Sequence, residues 1–324
     1  MNRLGVLIVT VCALLFPALA SAQDYPTRAV TIVVPFTPGG ATDMLARLIA
    51  QHLEKKFGKP FMIENKPGGG SVIGATSVAK ATPDGYTLMM APSGTMAVNP
   101  TMIKNLSYDP ATEYVPLSLV AGTPFVLVVN PSLPINSVAD LVKYAKDRGG
   151  PMPFATVGPG IPHHLFAEMF RGMVGIQTSY VPYRGSVPAL SDVIAGHVPV
   201  MFVDLGPAGP MISSGKVRAL GVTTKDRVAA YPDIPPLGQA GVPGFEAMSW
   251  QMLVAPAKTP RLVVDKLHAE IKAFLATAEI RDHISKNGMV PMEERSVEGL
   301  QQFVKSEIAR WGKVVTDAGI AGSQ

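Results

Sequence analysis

The chain has a single cysteine, Cys12, and it lies in an N-terminal segment that reads as a removable leader. Arg3 supplies a short positive start, residues 4–16 an apolar run, and Ala20-Ser21-Ala22 a small-residue cleavage site. Cleavage after residue 22 leaves 302 residues without a thiol. That excludes disulfides, thiolate metal sites, a cysteine nucleophile and a lipid-bearing cysteine at the new N-terminus. The apolar run is too short for a comfortable bilayer span. The expected product is a soluble exported chain, periplasmic where the host has an outer membrane.

Strong charge is also missing. Loss of Arg3 takes the formal net charge from +4 to +3, and the remaining basic residues are scattered. Nothing resembles a nucleic-acid arm, so no nucleic-acid partner is expected. Catalytic fingerprints are absent too: no Walker A lysine motif, no H-E-x-x-H, no G-x-S-x-G. Gly158-Pro159-Gly160 starts a dinucleotide fingerprint, but His163 stands where the third glycine belongs. His163 and His164 are adjacent and diverge on a helix, so they would not share a metal. No catalytic residue, metal or cofactor is expected. No short-period repeat or low-complexity tail interrupts the chain.

What is there is a strand–helix alternation. Residues 30–34 form a continuous β-branched run, the mark of a buried strand. Pro35, Pro38, Gly39 and Gly40 break it, and Leu45, Leu48, Ile49, Leu53 and Phe57 then follow a helical period closed by Gly58. Such a turn points unpaired backbone N–H groups at whatever occupies it. Read alone, the two glycines fit a purely conformational role at least as well, and Asp43 fits helix stabilisation as well as ligand contact.

Strands at 61–64 and 86–91 with a helix at 72–81 continue the pattern, a βαβαβ unit with a parallel sheet. Apolar runs at 115–120 and 125–130 follow, and the alternation then restarts. It predicts helices at 137–147, 163–173 and 186–195, with strands at 153–157, 176–181, 200–203 and 217–223. After an apolar run at 250–255, helices over 260–277, 278–287 and 296–318 finish the chain. Two α/β units and a helical return imply two lobes joined by two crossings. The division expected is residues 23–124 with 247–324 for the first lobe and 125–246 for the second. The turns 35–43, 92–95, 158–163 and 182–186 would then line one cleft, where loops at the carboxyl ends of strands bind ligands.

At these residues the chain resembles the Bug family of extracytoplasmic solute receptors of tripartite tricarboxylate transporters. The resemblance rests on Tyr25-Pro26-Thr27-Arg28, Ile32-Val33-Val34-Pro35-Phe36, Gly39-Gly40-Ala41-Thr42-Asp43 and Glu64-Asn65-Lys66-Pro67-Gly68. It continues through Pro83-Asp84-Gly85-Tyr86-Thr87-Leu88, Val181-Pro182-Tyr183-Arg184-Gly185 and Gly215-Lys216-Val217-Arg218-Ala219-Leu220. Pro243-Gly244-Phe245-Glu246, Ser249-Trp250 and Trp311-Gly312-Lys313-Val314-Val315 complete it.

The resemblance implies a type II periplasmic-binding-protein fold: two α/β lobes closing over a small organic acid, in a monomer that serves two integral-membrane transporter subunits. It implies that the turn 36–43 takes one carboxylate through backbone groups and water, and the turn 158–164 the opposite end. The family commonly carries small hydroxyl residues just before the histidine pair; here Ile161 and Pro162 stand instead. The ligand-contact residues expected are Phe36, Pro38, Gly39, Gly40, Ala41, Thr42, Asp43, Thr95, Gly160, Ile161, Pro162, His163, His164, Tyr183, Gly185 and Asp204. A secreted hydrolase or lyase using the same cleft, and a signalling co-receptor, are the alternatives from other functional classes.

Overall fold

A computed structural model describes residues 25–158, 160–293 and 295–324; the leader expected at 1–22 lies outside them. Strand β1 (Val30–Val34) is buried along nearly its whole length, as its β-branched run requires. Helix α1 (Ala41–Phe57) buries Leu45, Ala46, Ile49, Ala50 and Leu53 on one stripe. It stops at Gly58, which takes a left-handed conformation and returns its N–H to the carbonyl of Glu54. Then come β2 (Phe61–Asn65), α2 (Val72–Ala79) and β3 (Thr87–Pro92). A π-helical turn (Gly94–Val98) runs into α3 (Asn99–Met102).

Strands β4 (Tyr114–Thr123) and β5 (Phe125–Val129) are separated by Pro124 alone, and they belong to different sheets. The second sheet is built from β5 together with β6 (Met152–Thr156), β7 (Thr178–Pro182), β8 (Val200–Asp204) and β9 (Arg218–Val222). Its helices are α4 (Val138–Asp147), α5 (Pro162–Val174), α6 (Ser186–Ala195) and α7 (Leu205–Ser213). The chain returns to the first sheet with β10 (Ser249–Pro256). It ends through α8 (Arg261–Leu275), α9 (Ala278–Lys286), the short β11 (Val290–Pro291) and α10 (Val297–Asp317).

The two sheets share one plan. The first runs β11-β4-β10-β3-β1-β2, with β1 parallel to β2 and β3, and β10 antiparallel to β3 and β4. The second runs β7-β6-β8-β5-β9, with β6 parallel to β7 and β8, and β5 antiparallel to β8 and β9. The parallel strands β1, β2 and β3 and the restart after the crossing follow the hydrophobic pattern. Local capping chemistry holds as well. Ser137 accepts from the Asp140 N–H and Ser296 from the Gly299 N–H, each closing the first turn of its helix.

Two elements run against the pattern. Helix α7 carries two glycines and two prolines, a composition that reads as loop, and it forms because Leu205 and Ala208 bury against the second sheet. The π-helical turn after β3 likewise forms where only a Gly-containing bend is legible.

Both crossings lie side by side. Thr123, just before Pro124, pairs with Ser249 at the start of β10, and the Ala247 N–H bonds the Thr223 carbonyl just beyond β9. Helix α10 packs across the same region: Trp311 stacks on Phe166 of α5, with ring centroids 5.7 Å apart. Glu307, one turn earlier and buried, accepts from the indole N–H groups of both Trp250 (2.8 Å) and Trp311 (2.9 Å).

Candidate functional site

A cavity of about 670 Å³ lies where the strand ends of the two sheets face each other. It draws on turns from both sheets. A second groove of about 550 Å³ is lined from α4, the end of α5 and residues 241–243 only, and none of the turns singled out above reaches it.

The first end of the cavity is the turn into α1. Gly39 takes φ +95, a left-handed conformation that favours glycine, and Gly40 is extended. The first backbone bond of α1 runs from the Met44 N–H to the Gly40 carbonyl, so the N–H groups ahead of it lack an intrahelical partner. Phe36, Gly40, Ala41, Thr42 and Asp43 form the wall here.

Asp43 reaches that wall with its carboxylate already engaged. Oδ2 accepts from the Gly39 N–H (3.1 Å) and from Arg47 Nε (2.9 Å); Oδ1 accepts from Asn65 (3.0 Å) and from Arg47 (3.2 Å). The Arg47 hydrogen bond, ahead of those from Asn65 and Gly39, holds its pKa at about 2 against the opposing effect of burial. Asp43 is thus the brace that fixes the glycine turn against β2.

A folded-state pKa depressed from 3.8 to about 2 contributes stability above pH 4 that is lost as pH falls towards 2. Asp43→Asn is expected to cost about 1–2 kcal/mol at neutral pH, a figure discounted for the half-exposed Arg47. Urea melts of the two proteins should converge as pH falls through that window; a gap that persists at pH 2 would refute the assignment.

The second end is the turn into α5 together with the start of α6. Gly160 takes φ +72 and donates its N–H to His164 Nδ1 at 3.2 Å. His164 sits behind the turn, its ring edge-on to Tyr180 at 4.4 Å, and burial lowers its pKa. Gly160, Ile161, Pro162 and His163 line the cavity, joined by Gly185, Ser186 and Asp204.

His163 Nε2 lies 2.9 Å from Ser186 Oγ and 3.2 Å from Asp204 Oδ2, and Ser186 Oγ donates to Asp204 Oδ2 at 2.6 Å. Burial raises the Asp204 pKa, and the bonds from His163 and Ser186 more than offset it, so the net direction is down. The trio has the residue types of an acyl-transfer triad but not its geometry. Acid and hydroxyl share one ring nitrogen, whereas such chemistry places the acid on Nδ1 and the nucleophile on Nε2.

Between the ends, the wall carries Ser71, Thr95, Asn99, Thr123, Ser249 and Gln251. Ser71 and Thr95 share a 2.5 Å hydrogen bond, and Asn99 is fixed by the Gly70 carbonyl and the Tyr108 hydroxyl. Apart from Thr95, sequence reasoning missed this middle band. Each residue is one hydroxyl or amide among many, and nothing local marks it. Ser186 lies in the turn 182–186 that the sequence places on the cleft, beside the Gly185 singled out there.

Of the expected residues, Pro38, Gly39, His164 and Tyr183 stay off the cavity wall. Tyr183 sends its hydroxyl to Asp192 of α6 at 2.7 Å. Among the described residues no Lys or Arg lines the cavity, no group of three His, Cys, Asp or Glu is placed to hold a metal, and no helix is long and apolar enough to cross a membrane.

Comparison with known proteins agrees with this arrangement. The family described as tripartite tricarboxylate transporter family receptor matches residues 45–320. The chain is 35% identical over 301 residues to a UPF0065 protein in the tcbD-tcbE intergenic region of Pseudomonas sp. strain P51, covering 93% of this chain and 89% of that one. It is 33% identical over 303 residues to protein BugT of Bordetella pertussis, covering 93% of each. Among solved structures, R. palustris Rpa4515 with adipate superposes with a TM-score of 0.82 at 40% identity, over 92% of this chain and 99% of that one. MatC of Rhodopseudomonas palustris with bound malate gives 0.78 at 33%, over 90% and 100%.

Proposed function

The chain belongs to the tripartite tricarboxylate transporter receptor family, and we propose that its solute is an organic carboxylate held in the cavity between the two sheets. The protein is a solute receptor of the two-lobed periplasmic-binding-protein class. The observation that carries the ligand reading is the cavity itself. Turns ending in the N-termini of α1 and α5 face it from opposite sheets, and both present glycine backbone. Helix N-termini favour anions without a charged side chain. That adipate and malate occupy two relatives of this fold supports an organic acid as the class, within which a di- or tricarboxylate or an aromatic acid is the reading taken here.

In this reading Gly40, Ala41 and Thr42 take the carboxylate, directly and through water, with Phe36 and Thr95 beside it. Gly160, Ile161, Pro162, His163, Gly185 and Asp204 face the rest of the ligand. Pro38, Gly39, His164 and Tyr183 act by shaping the turns. The lobes divide at residues 124 and 247, as the adjacent crossings suggest, and rotate about that strip to close on ligand. The leader is cleaved after residue 22, the receptor works as a monomer in the periplasm, and its closed form is read by two membrane subunits. It releases its ligand unchanged.

The test is calorimetric titration of mature protein, unfolded and refolded to strip any carried ligand, with mono-, di- and tricarboxylates and aromatic acids. A cognate acid at a hundredfold over its Kd should stabilise the fold by about 2.7 kcal/mol in a parallel melt. Silence across the whole set after refolding, or conversion of a bound acid to product, would overturn the proposal.

A further inference from the structure

The two ends of the cavity differ in the hydrogen bonds they have left to offer. At the α1 end, backbone N–H groups are free and the one carboxylate, Asp43, is saturated by its own donors. At the α5 end a carboxylate with an unused oxygen joins the backbone N–H groups ahead of the helix. Ile161 and Pro162 bring no side-chain donor, and Pro162 has no N–H. The Gly160 N–H is taken by His164. The Ser186 hydroxyl is taken by Asp204. The charged side chain left facing the ligand there is the Asp204 carboxylate, with 27% of its side chain exposed.

The hydrogen-bond geometry of His163 sets what that carboxylate meets. Nε2 faces Ser186 and Asp204, while Nδ1 is buried without a partner among the described residues, beside the edge-to-face ring of Phe125 at 4.9 Å. A proton on Nδ1 would strand an N–H in that apolar position, and a buried unpaired donor is heavily penalised. The neutral ring with its proton on Nε2 strands only a lone pair. It donates from Nε2 into the Ser186–Asp204 pair, and Asp204 stays a net negative charge. Among the described residues no Lys or Arg lines the cavity to cancel it. Both side-chain bonds to Asp204 converge on Oδ2, which leaves Oδ1 without a side-chain donor among the described residues.

We propose that the end of the cavity at Asp204, Ser186 and His163 selects an acid whose far end donates a hydrogen bond, an ammonium above all and then a hydroxyl or amide N–H, and discriminates against a second ionised carboxylate. This rests on the reading of the cavity as a carboxylate site and narrows it. The acid group docks on the free N–H groups of α1, and the donor reaches Asp204 Oδ1. A second carboxylate there meets a like charge in a partly dry pocket, and a cation meets an opposite one.

The experiment uses refolded mature protein and calorimetric titration at neutral pH. The probes are adipate, the ω-amino and ω-hydroxy acids of the same chain length, and the plain monocarboxylate, repeated for shorter and longer chains. At the best-fitting length the ω-amino acid should bind at least about tenfold tighter than the diacid, as expected for one added hydrogen bond to a charged group. The ω-hydroxy acid should fall between them. Asp204→Asn should lose about tenfold for the amino acid and gain for the diacid.

Tightest binding of the diacid by the unaltered protein overturns the inference whether or not the variant folds. It would leave the carboxylate-receptor reading standing. An order unchanged in a folded Asp204→Asn protein also overturns it. Failure of every acid, the plain monocarboxylate included, removes the receptor reading and this one with it.

Discussion

Glu307→Ala is expected to destabilise the protein by about 3–5 kcal/mol, because it leaves two buried indole N–H groups without an acceptor. Both tryptophans of the chain bond this one carboxylate, Trp250 from β10 of the first sheet and Trp311 from α10. Trp311 in turn stacks on Phe166 of α5, which belongs to the second sheet. The loss therefore falls on the junction of a strand of the first sheet, the C-terminal helix and a helix of the second sheet. Glu307→Gln keeps an oxygen in place for both donors and should cost far less. Urea unfolding followed by tryptophan fluorescence reads both variants, since no other tryptophan contributes. An alanine variant within about 1 kcal/mol of the parent would show that water replaces the carboxylate without penalty.

Gly160→Ala is expected to weaken ligand binding by at least about tenfold while lowering stability by only about 1–2 kcal/mol. Two effects act at that position. The backbone sits at φ +72, which an alanine adopts only under strain. A Cβ there would lie 1.8 Å from Met102 Sδ and 2.1 Å from its Cε, so Met102 of α3 must swing away. Gly160 belongs to the turn before α5 and Met102 to the first-sheet side, so the displaced side chain lies where the two walls of the cavity meet. Adding Met102→Ala should recover part of the affinity by removing the clash, but not the part due to backbone strain. Equal affinities for the parent and Gly160→Ala would mean that the walls need not approach here for binding.

The architecture is legible in the sequence wherever burial imposes a period. Residues 30–34 are buried on both faces and read as a continuous apolar run; the helix after them buries one stripe and reads at 3.6. Gly58, Ser137 and Ser296 mark helix ends because capping is local. Helix α7 is not legible, because its glycines and prolines obey packing rather than propensity. The turns at Gly39, Gly158 and Gly160 are legible as turns, since the positive φ at these three positions favours glycine. The middle of the cavity is not. Ser71, Asn99, Thr123, Ser249 and Gln251 come from distant segments, and only the sheet order brings them together. Tyr183 shows the converse: the aromatic residue in the marked turn serves Asp192, and the quieter Ser186 three residues on meets the cavity.

The position of β10 sets a timetable for the molecule. All five strands of the second sheet lie between residues 125 and 222, so that half has its parts as soon as it is synthesised. The first sheet has β1, β2 and β3 early but nothing between β3 and β4 until residues 249–256 arrive. A chain emerging from its amino end therefore carries two halves of a sheet with open edges facing a gap. Thr123 gains its partner Ser249 only when that gap is filled. The cavity between the sheets, which needs Ser249 and Gln251 in its wall, is among the last features of the fold to exist.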